Sequence, residues 1–441
     1  MSTKSATELA AMIRSKEIGS RELLDSFVDR IERLGGPINA VVTLDLERAR
    51  VAADAADAAT ARGESFGPLH GLPTTIKDAI ATEGIRSTGG ALELQNNVPV
   101  IDAPAVARLK DAGAIVFGKT NLPRWSGDLE SFNDIFGTTN NPWNVERVPG
   151  GSSGGAGAAV AAGFTSFELG TDIGGSVRIP SHFNGVFGLK PSVGVISQRG
   201  YLDHVDGGTI DVDINVFGPL ARSADDLDLL LGVLAERDLP AATTGDLRVG
   251  VWFDEPSCPV ARDYRTLLGA AADRLADSGA KVEEAHPPID FDAQVMLFSN
   301  MVLAAMSPAY PREVAEVISG SHHQWIRNDI ERSRLKTLWA EWFDSYDVLL
   351  CPVTPSAALP HMQGEFASRM MTIDGVERSY LENVSWTGLI GVVGLPSAVP
   401  PIGRTPEGLP VGVQCVTRYF GDRTAIEVAR RIGSYEPPPG F

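Results

Sequence analysis

Residues 149–191 read PGGSSGGAGAAVAAGFTSFELGTDIGGSVRIPSHFNGVFGLKP, and this stretch decides how the chain is to be folded. A Gly/Ser tract alone has the composition of a solvated, flexible loop. Its flanks argue otherwise, because Ala158–Ala162 and Val186–Leu189 are apolar runs that need a core. The tract is therefore expected inside the protein. Two serines stand out in it: Ser152 lies between paired glycines, and Ser176 closes Gly170-Thr171-Asp172-Ile173-Gly174-Gly175-Ser176, with Arg178 just beyond. Paired glycines before a serine let several backbone N–H groups turn into one small volume, which is what a developing oxyanion requires.

Outward from this centre, helical and strand-like runs alternate to both ends without a long polar linker, the pattern of one large α/β domain over residues 1–441. The polar start, Met1 to Ala11, carries the capping box Ser5-Ala6-Thr7-Glu8. A second helix follows with Leu23, Leu24, Phe27, Val28, Ile31 and Leu34 at helical spacing, and Gly35-Gly36-Pro37 breaks it. With the Ala-rich stretch Glu47–Arg62, these make an N-terminal helical segment over 1–65. Ala40–Leu44 and Leu72–Ile76 read as strands, the second ending at Lys77. Asp102-Ala103-Pro104 starts a helix that runs to Gly113, before the strand Ala114–Phe117. Downstream, Leu247–Trp252, a helix over Ala261–Asp277 and Lys281–Ala285 form a β-α-β unit and so imply parallel strands. Residues 290–345 read as a variable helical cap, Val348–Pro352 and Val411–Val416 as further strands, and Thr424–Ile432 as a closing helix.

Charge and composition exclude several classes. The 441 residues carry 38 basic and 56 acidic side chains, a net −18 that repels phosphate backbones and anionic membranes, so no nucleic-acid or membrane partner is expected. No window approaches the ~18 continuous apolar residues of a membrane span, and a cytoplasmic location is expected. Cys258, Cys351 and Cys415 are far apart and suggest neither a disulfide framework nor a metal knuckle. The 7 histidines lack metal-ligand spacing, so no metal and no cofactor is expected.

Two motif matches mislead. Gly113 to Thr120 fits the phosphate-loop expression, but the four residues before Gly118 are themselves a strand, whereas such a loop needs a turn there; Gly113 reads better as the residue that ends a helix. Gly150-Gly151-Ser152-Ser153-Gly154 fits the nucleophile elbow of the α/β-hydrolases, but loop residues and prolines precede it where a buried strand is required.

Taken together, these residues resemble the amidase signature enzymes. The resemblance spans nearly the whole chain: Gly71-Leu72-Pro73 leading to Ile76-Lys77-Asp78, the two glycine–serine runs, Phe187-Gly188-Leu189-Lys190-Pro191, Gly218-Pro219-Leu220-Ala221-Arg222-Ser223 and Leu409-Pro410-Val411-Gly412-Val413-Gln414. The two serines stand 176 − 152 = 24 positions apart, as they do in that family. The resemblance implies a single domain built on a central mixed, twisted β-sheet with helices on both faces. It also implies a triad of Ser176 as nucleophile, Ser152 as relay and Lys77 as base, with a cis peptide between Gly151 and Ser152. The oxyanion hole would be the backbone N–H groups of Ile173, Gly174, Gly175 and Ser176. Ser153, Thr171, Asp172 and Arg178 would support the triad or satisfy buried groups, while Trp125, Ser126, Gly127 and Asp128 would line the substrate pocket or pack beside it.

The chemistry of the residues agrees with this assignment. A serine hydroxyl needs an adjacent base, and no histidine lies in any of these motifs. Lysine serves only when neutral, which burial beside Ile76 and Ile80 would favour. Of the 8 lysines, Lys77 and Lys190 alone fall in site segments, and Lys190, before Pro191, reads as structural. Three functions follow: a stand-alone amidase acting on small amides, extending to esters, anilides or carbamates; a glutamine-hydrolysing subunit of a tRNA-dependent amidotransferase; and a non-enzymatic scaffold, which an intact triad argues against. The first is preferred, with room for a homodimer. Met296, Met301, Met306, Trp325 and Trp339 are expected to shape an apolar cap for aryl or alkyl acyl groups.

Overall fold

In the computed structural model, which describes residues 3–441, β1 (Val41–Leu44), β2 (Pro73–Lys77) and β3 (Ile115–Thr120) form a sheet in the order β1-β3-β2, with β2 and β3 parallel. Met1 and Ser2, part of the polar start, lie outside the described residues. Helices α2 (Ser20–Leu34) and α3 (Leu46–Arg62) cover this sheet, with Phe27 of α2 stacked on Phe117 of β3, while α1 (Ala6–Arg14) packs on the helix Ala224–Leu234, where Thr7 N–H donates to Asp226 Oδ1. The capping box forms as read: Ser5 Oγ accepts from Glu8 N–H, and Ser5 N–H donates to Glu8 Oε2. Helix α4 (Pro104–Asp111) ends where expected, with Gly113 at φ +96° and Ala114 N–H donating to Leu109 O. The strand Ile115–Thr120 then follows directly, so no phosphate loop exists there.

A second, eight-stranded sheet is built from β4 (Glu168–Asp172), β5 (Phe187–Lys190), β6 (Val216–Ala221), β7 (Arg248–Val251), β8 (Lys281–Glu284), β9 (Val348–Cys351), β10 (Ser397–Val399) and β11 (Gln414–Thr417). Their order is β8-β7-β9-β11-β10-β5-β6-β4. The first three are parallel and the rest antiparallel, so the sheet is mixed. Its centre is apolar along whole strands, as in Val348-Leu349-Leu350-Cys351, which is buried throughout. Helices flank it, among them α5 (Gly154–Ala161), α6 (Arg178–Asn184) and α7 (Arg262–Asp277). Helix α7 joins β7 to β8 as the expected β-α-β unit.

The strand expected at Val411–Val416 is broken in two. Gly412 N–H donates to His182 Nδ1 at 2.7 Å and its carbonyl accepts the Tyr264 hydroxyl at 2.6 Å, which removes its backbone from the main ladder. Residues Pro410–Gly412 pair instead with Pro401–Arg404. The segment 290–345 folds as α8 (Phe291–Met306), α9 (Arg312–Ile318) and α10 (His322–Ser345), and α11 (Asp422–Ile432) closes the chain against the sheet. Among the described residues no helix is long and apolar enough to cross a membrane.

Candidate active site

The two sheets meet where the edge strand β4 runs beside β2. Thr74 Oγ1 donates to Phe167 O, and Thr75 N–H to Thr165 Oγ1. At this seam Lys77, the last residue of β2, is fully buried. Its Nζ lies 2.6 Å from Ser152 Oγ and 2.7 Å from Thr171 Oγ1, and no carboxylate is within ion-pair distance among the described residues. Burial pushes the Lys77 amine well below its ordinary pKa, and the more distant charges of Asp172 and Glu168 pull it back only in part. A lysine held by two hydroxyls with no counter-ion is poised to be neutral, and a neutral amine can accept a proton.

Ser152 is held by backbone geometry. The Gly151–Ser152 peptide is cis. A Cβ at Gly151 would stand 2.5 Å from the Asp128 carbonyl oxygen, so only glycine fits against that wall. Ser131 Oγ donates to Gly150 O at 3.1 Å and accepts Gly154 N–H at 3.0 Å, closing the turn into α5. Ser153 ties this loop to the next one: its N–H donates to Ser176 O at 3.2 Å, its hydroxyl donates to Thr171 O, and Thr171 N–H donates to Ser153 Oγ. Ser153 and Thr171 therefore hold the site together. The Ser176 side chain, 4 % exposed, makes no hydrogen bond among the described residues.

Asp172 and Arg178 shape the loop that carries Ser176. Both are fully buried, and Arg178 donates from Nε and Nη2 to the two Asp172 oxygens and from Nη1 to Thr387 O and Gln414 Oε1. Burial alone would raise the Asp172 carboxyl, but the Arg178 charge and hydrogen bonds outweigh it and leave it below its ordinary value. Arg178 is thus committed within the protein. Asp172 Oδ1 also accepts the Gly175 N–H at 2.8 Å, which corrects one expectation: Gly175 is not a free oxyanion donor. Among the described residues the N–H groups of Ile173, Gly174 and Ser176 have no protein acceptor, and they form the candidate oxyanion hole.

A narrow cavity of about 20 Å³, room for roughly one water molecule, opens beside Ile173. Trp125 and Ser126 line it, both at positive φ (51° and 56°), with the Trp125 N–H held by Gly89 O. Gly127 and Asp128 do not line it; Arg369 takes both Asp128 oxygens. Of the expected cap residues Met306 alone reaches the cavity. Met301 and Trp339 are core, while Met296 and Trp325 are exposed. Sequence reasoning missed Tyr201, Asp203, His204 and Asn215 in the same wall. They lie in irregular backbone without periodicity, and the one usable signal was their position between the Lys190-Pro191 and Gly218-Pro219 segments. Lys190 is buried and donates to the carbonyls of Pro191 and Leu395, as its structural reading required.

The amidase family description matches residues 22–333 and 318–426. The chain is 34 % identical to a glutamyl-tRNA(Gln) amidotransferase subunit of Roseiflexus sp. (strain RS-1), covering 93 % of this chain and 92 % of the relative. It is 32 % identical to the indoleacetamide hydrolase of Bradyrhizobium diazoefficiens (strain USDA 110), over 97 % of this chain and 86 % of that one. Among solved structures, a bacterial aryl acylamidase of the amidase signature enzymes superposes with a TM-score of 0.84 at 27 % identity, covering 97 % of this chain and 95 % of the other.

Proposed function

Because the chain belongs to the amidase family, we propose that it hydrolyses small uncharged amides by itself, through Ser176 as nucleophile, Ser152 as relay and Lys77 as base. The activity is that of an amidase, a hydrolase of C–N bonds. The observation that carries the residue assignment is the fully buried Lys77 amine, 2.6 Å from Ser152 Oγ and without a carboxylate partner. Neutral Lys77 draws a proton from Ser152 as Ser152 draws one from Ser176, and the Ser176 oxygen attacks the amide carbonyl. The N–H groups of Ile173, Gly174 and Ser176 receive the oxyanion, each worth about 3 kcal/mol of barrier. Ser152 then protonates the leaving amine, and water releases the acid by the reverse relay.

The substrate side is supported by the cavity and by two relatives. Trp125, Tyr201 and Met306 make an apolar slot, with helix α8 and the turn after it supplying one wall as a cap. The proteins named indoleacetamide hydrolase and aryl acylamidase both carry aromatic amides in their names, which favours an aromatic amide as substrate. A second reading, glutamine hydrolysis inside a tRNA-dependent amidotransferase, is favoured by the identity to the amidotransferase relatives. The cavity opposes it: none of its lining side chains is Lys or Arg, leaving no fixed cation for the α-carboxylate of glutamine.

The deciding experiment offers the purified chain, alone, an amide, an anilide, an ester, a carbamate and glutamine. Turnover of aromatic amides, abolished by Ser176→Ala, is the expected result. Activity confined to glutamine and dependent on added partner proteins would establish the second reading instead.

A further inference from the structure

Gly174 and Gly175 stand in series in the loop between Asp172 and Arg178, and without side chains neither restrains its own backbone. The loop is therefore fixed by what grips its peptide groups. Ile179 N–H donates to the Gly175 carbonyl at 2.6 Å, and Ser153 N–H to the Ser176 carbonyl at 3.2 Å. The Gly174–Gly175 peptide is held at both ends: Asp172 Oδ1 accepts its N–H at 2.8 Å, and the Thr387 hydroxyl donates to its carbonyl at 2.9 Å. Thr387 is fully buried on the short helix Ser385–Gly391, 213 residues away in sequence. Its own carbonyl accepts Arg178 Nη1 at 2.8 Å, and Arg178 holds Asp172. Asp172, Arg178 and Thr387 thus close a ring of hydrogen bonds around that one peptide.

The flanking peptides take their direction from it. In a trans peptide the carbonyl and the N–H face opposite ways, so a plane held at both ends cannot turn. The plane before it, which carries the Gly174 N–H, has no hydrogen-bonded end of its own among the described residues and depends on this anchor. The plane after it, which carries the Ser176 N–H, has one. A carbonyl only accepts, so the Thr387 hydroxyl must be the donor. Its single proton has a second acceptor in reach, Val384 O at 3.2 Å, but Gly174 O is nearer. A Cβ at Gly175 would stand 2.7 Å from Thr387 Oγ1, so the hydroxyl closes directly on the loop. We propose that Thr387 is a positioning residue for the oxyanion hole, its hydroxyl aiming the Gly174 and Ser176 N–H groups at the substrate's carbonyl oxygen. The inference rests on the amidase reading above and adds a residue outside its motifs.

The test uses phenylacetamide and acetanilide as substrates and benzyl trifluoromethyl ketone as a mimic of the tetrahedral intermediate. Ser176 Oγ adds to the ketone carbon, its proton passes through Ser152 to Lys77, and the former carbonyl oxygen enters the hole as an oxyanion. Thr387→Val keeps the side chain's shape and removes the donor. Its kcat on the better substrate should fall about 10–100-fold with KM nearly unchanged, because the oxyanion exists only beyond the ground state. The Ki of the ketone should rise by a similar factor, while the rising limb of the pH profile, set by Lys77, stays in place. Thr387→Ser restores the donor and should return kcat to within about threefold of the native value. Thr387→Ala, which also lacks the hydroxyl, replaces Thr387→Val where the latter does not fold. A Ki that stays constant while kcat drops marks a loss of active molecules and overturns the inference, as does a kcat within about twofold of native in Thr387→Val. Both outcomes leave the amidase reading standing. Hydrolysis of neither amide by the native chain overturns both.

Discussion

Arg369 grips both oxygens of Asp128, at 2.8 and 2.7 Å, across 241 residues of sequence. The pair is nearly buried, with side chains 5 % and 11 % exposed. Its place matters because the Asp128 carbonyl is the wall against which Gly151 fits. Removing one member of a buried pair leaves the other charge uncompensated, so Arg369→Met should lower unfolding free energy by about 3 kcal/mol or more in urea titration. Asp128→Asn in the same chain should recover part of that loss. An unchanged urea midpoint in Arg369→Met would show that the pair is dispensable.

Lys77→Met separates chemistry from folding. The substitution keeps the side chain's length and removes its basic nitrogen, so turnover should fall by about 10²–10⁴-fold while the far-ultraviolet circular dichroism stays native. Stability should change in a pH-dependent way. The folded Lys77 has a depressed pKa, whereas the unfolded chain's lysine titrates near 10.4, so between those values the unfolded state binds the extra proton. The native chain therefore gains stability as pH rises toward that upper value, and Lys77→Met should lack this gain. Parallel stability curves for the two proteins from neutral pH to pH 10 would refute a neutral Lys77.

Glu168 tunes the base from a distance. Burial raises its own carboxyl to about 7, and its negative charge above that pH holds the Lys77 amine up. Glu168→Gln should accordingly move the rising limb of the kcat/KM profile, where Lys77 loses its proton, to lower pH. A limb that stays in place or moves upward counts against this coupling.

Gly155 shows why the start of α5 tolerates no side chain. A Cβ there would lie 2.4 and 2.5 Å from the backbone N and O of Asn121, which cannot swing aside. Gly155→Ala should cost about 1–3 kcal/mol by overpacking, measurable as a lowered melting temperature. A melting temperature equal to that of the native chain would show that the backbone yields there.

Sequence reading reached what is local. Ser152, Ser176 and Lys77 lie in contiguous glycine-rich or strand-ending motifs whose chemistry can be read residue by residue, and the structure brings Lys77 and Ser152 into contact. The β-α-β unit over 248–284 was equally legible, from the change of period between strand and helix. What escaped is set by pairing across the fold. The Gly175 N–H looked free because nothing in Asp-Ile-Gly-Gly says that the aspartate turns back to accept it. Arg369 stands alone in irregular backbone, and its role exists only once distant segments are adjacent.

The seam between the sheets has a consequence for how the protein can be monitored. The amine comes from the end of a three-stranded sheet, and the hydroxyls come from Thr171 on the edge strand of the eight-stranded one and from Ser152 in the loop before α5. Both sheets formed but displaced from one another would satisfy a spectrometer that counts helices and strands, yet the protein would be inert. Turnover is thus a gauge of docking, sensitive to a displacement between the sheets that leaves every element intact.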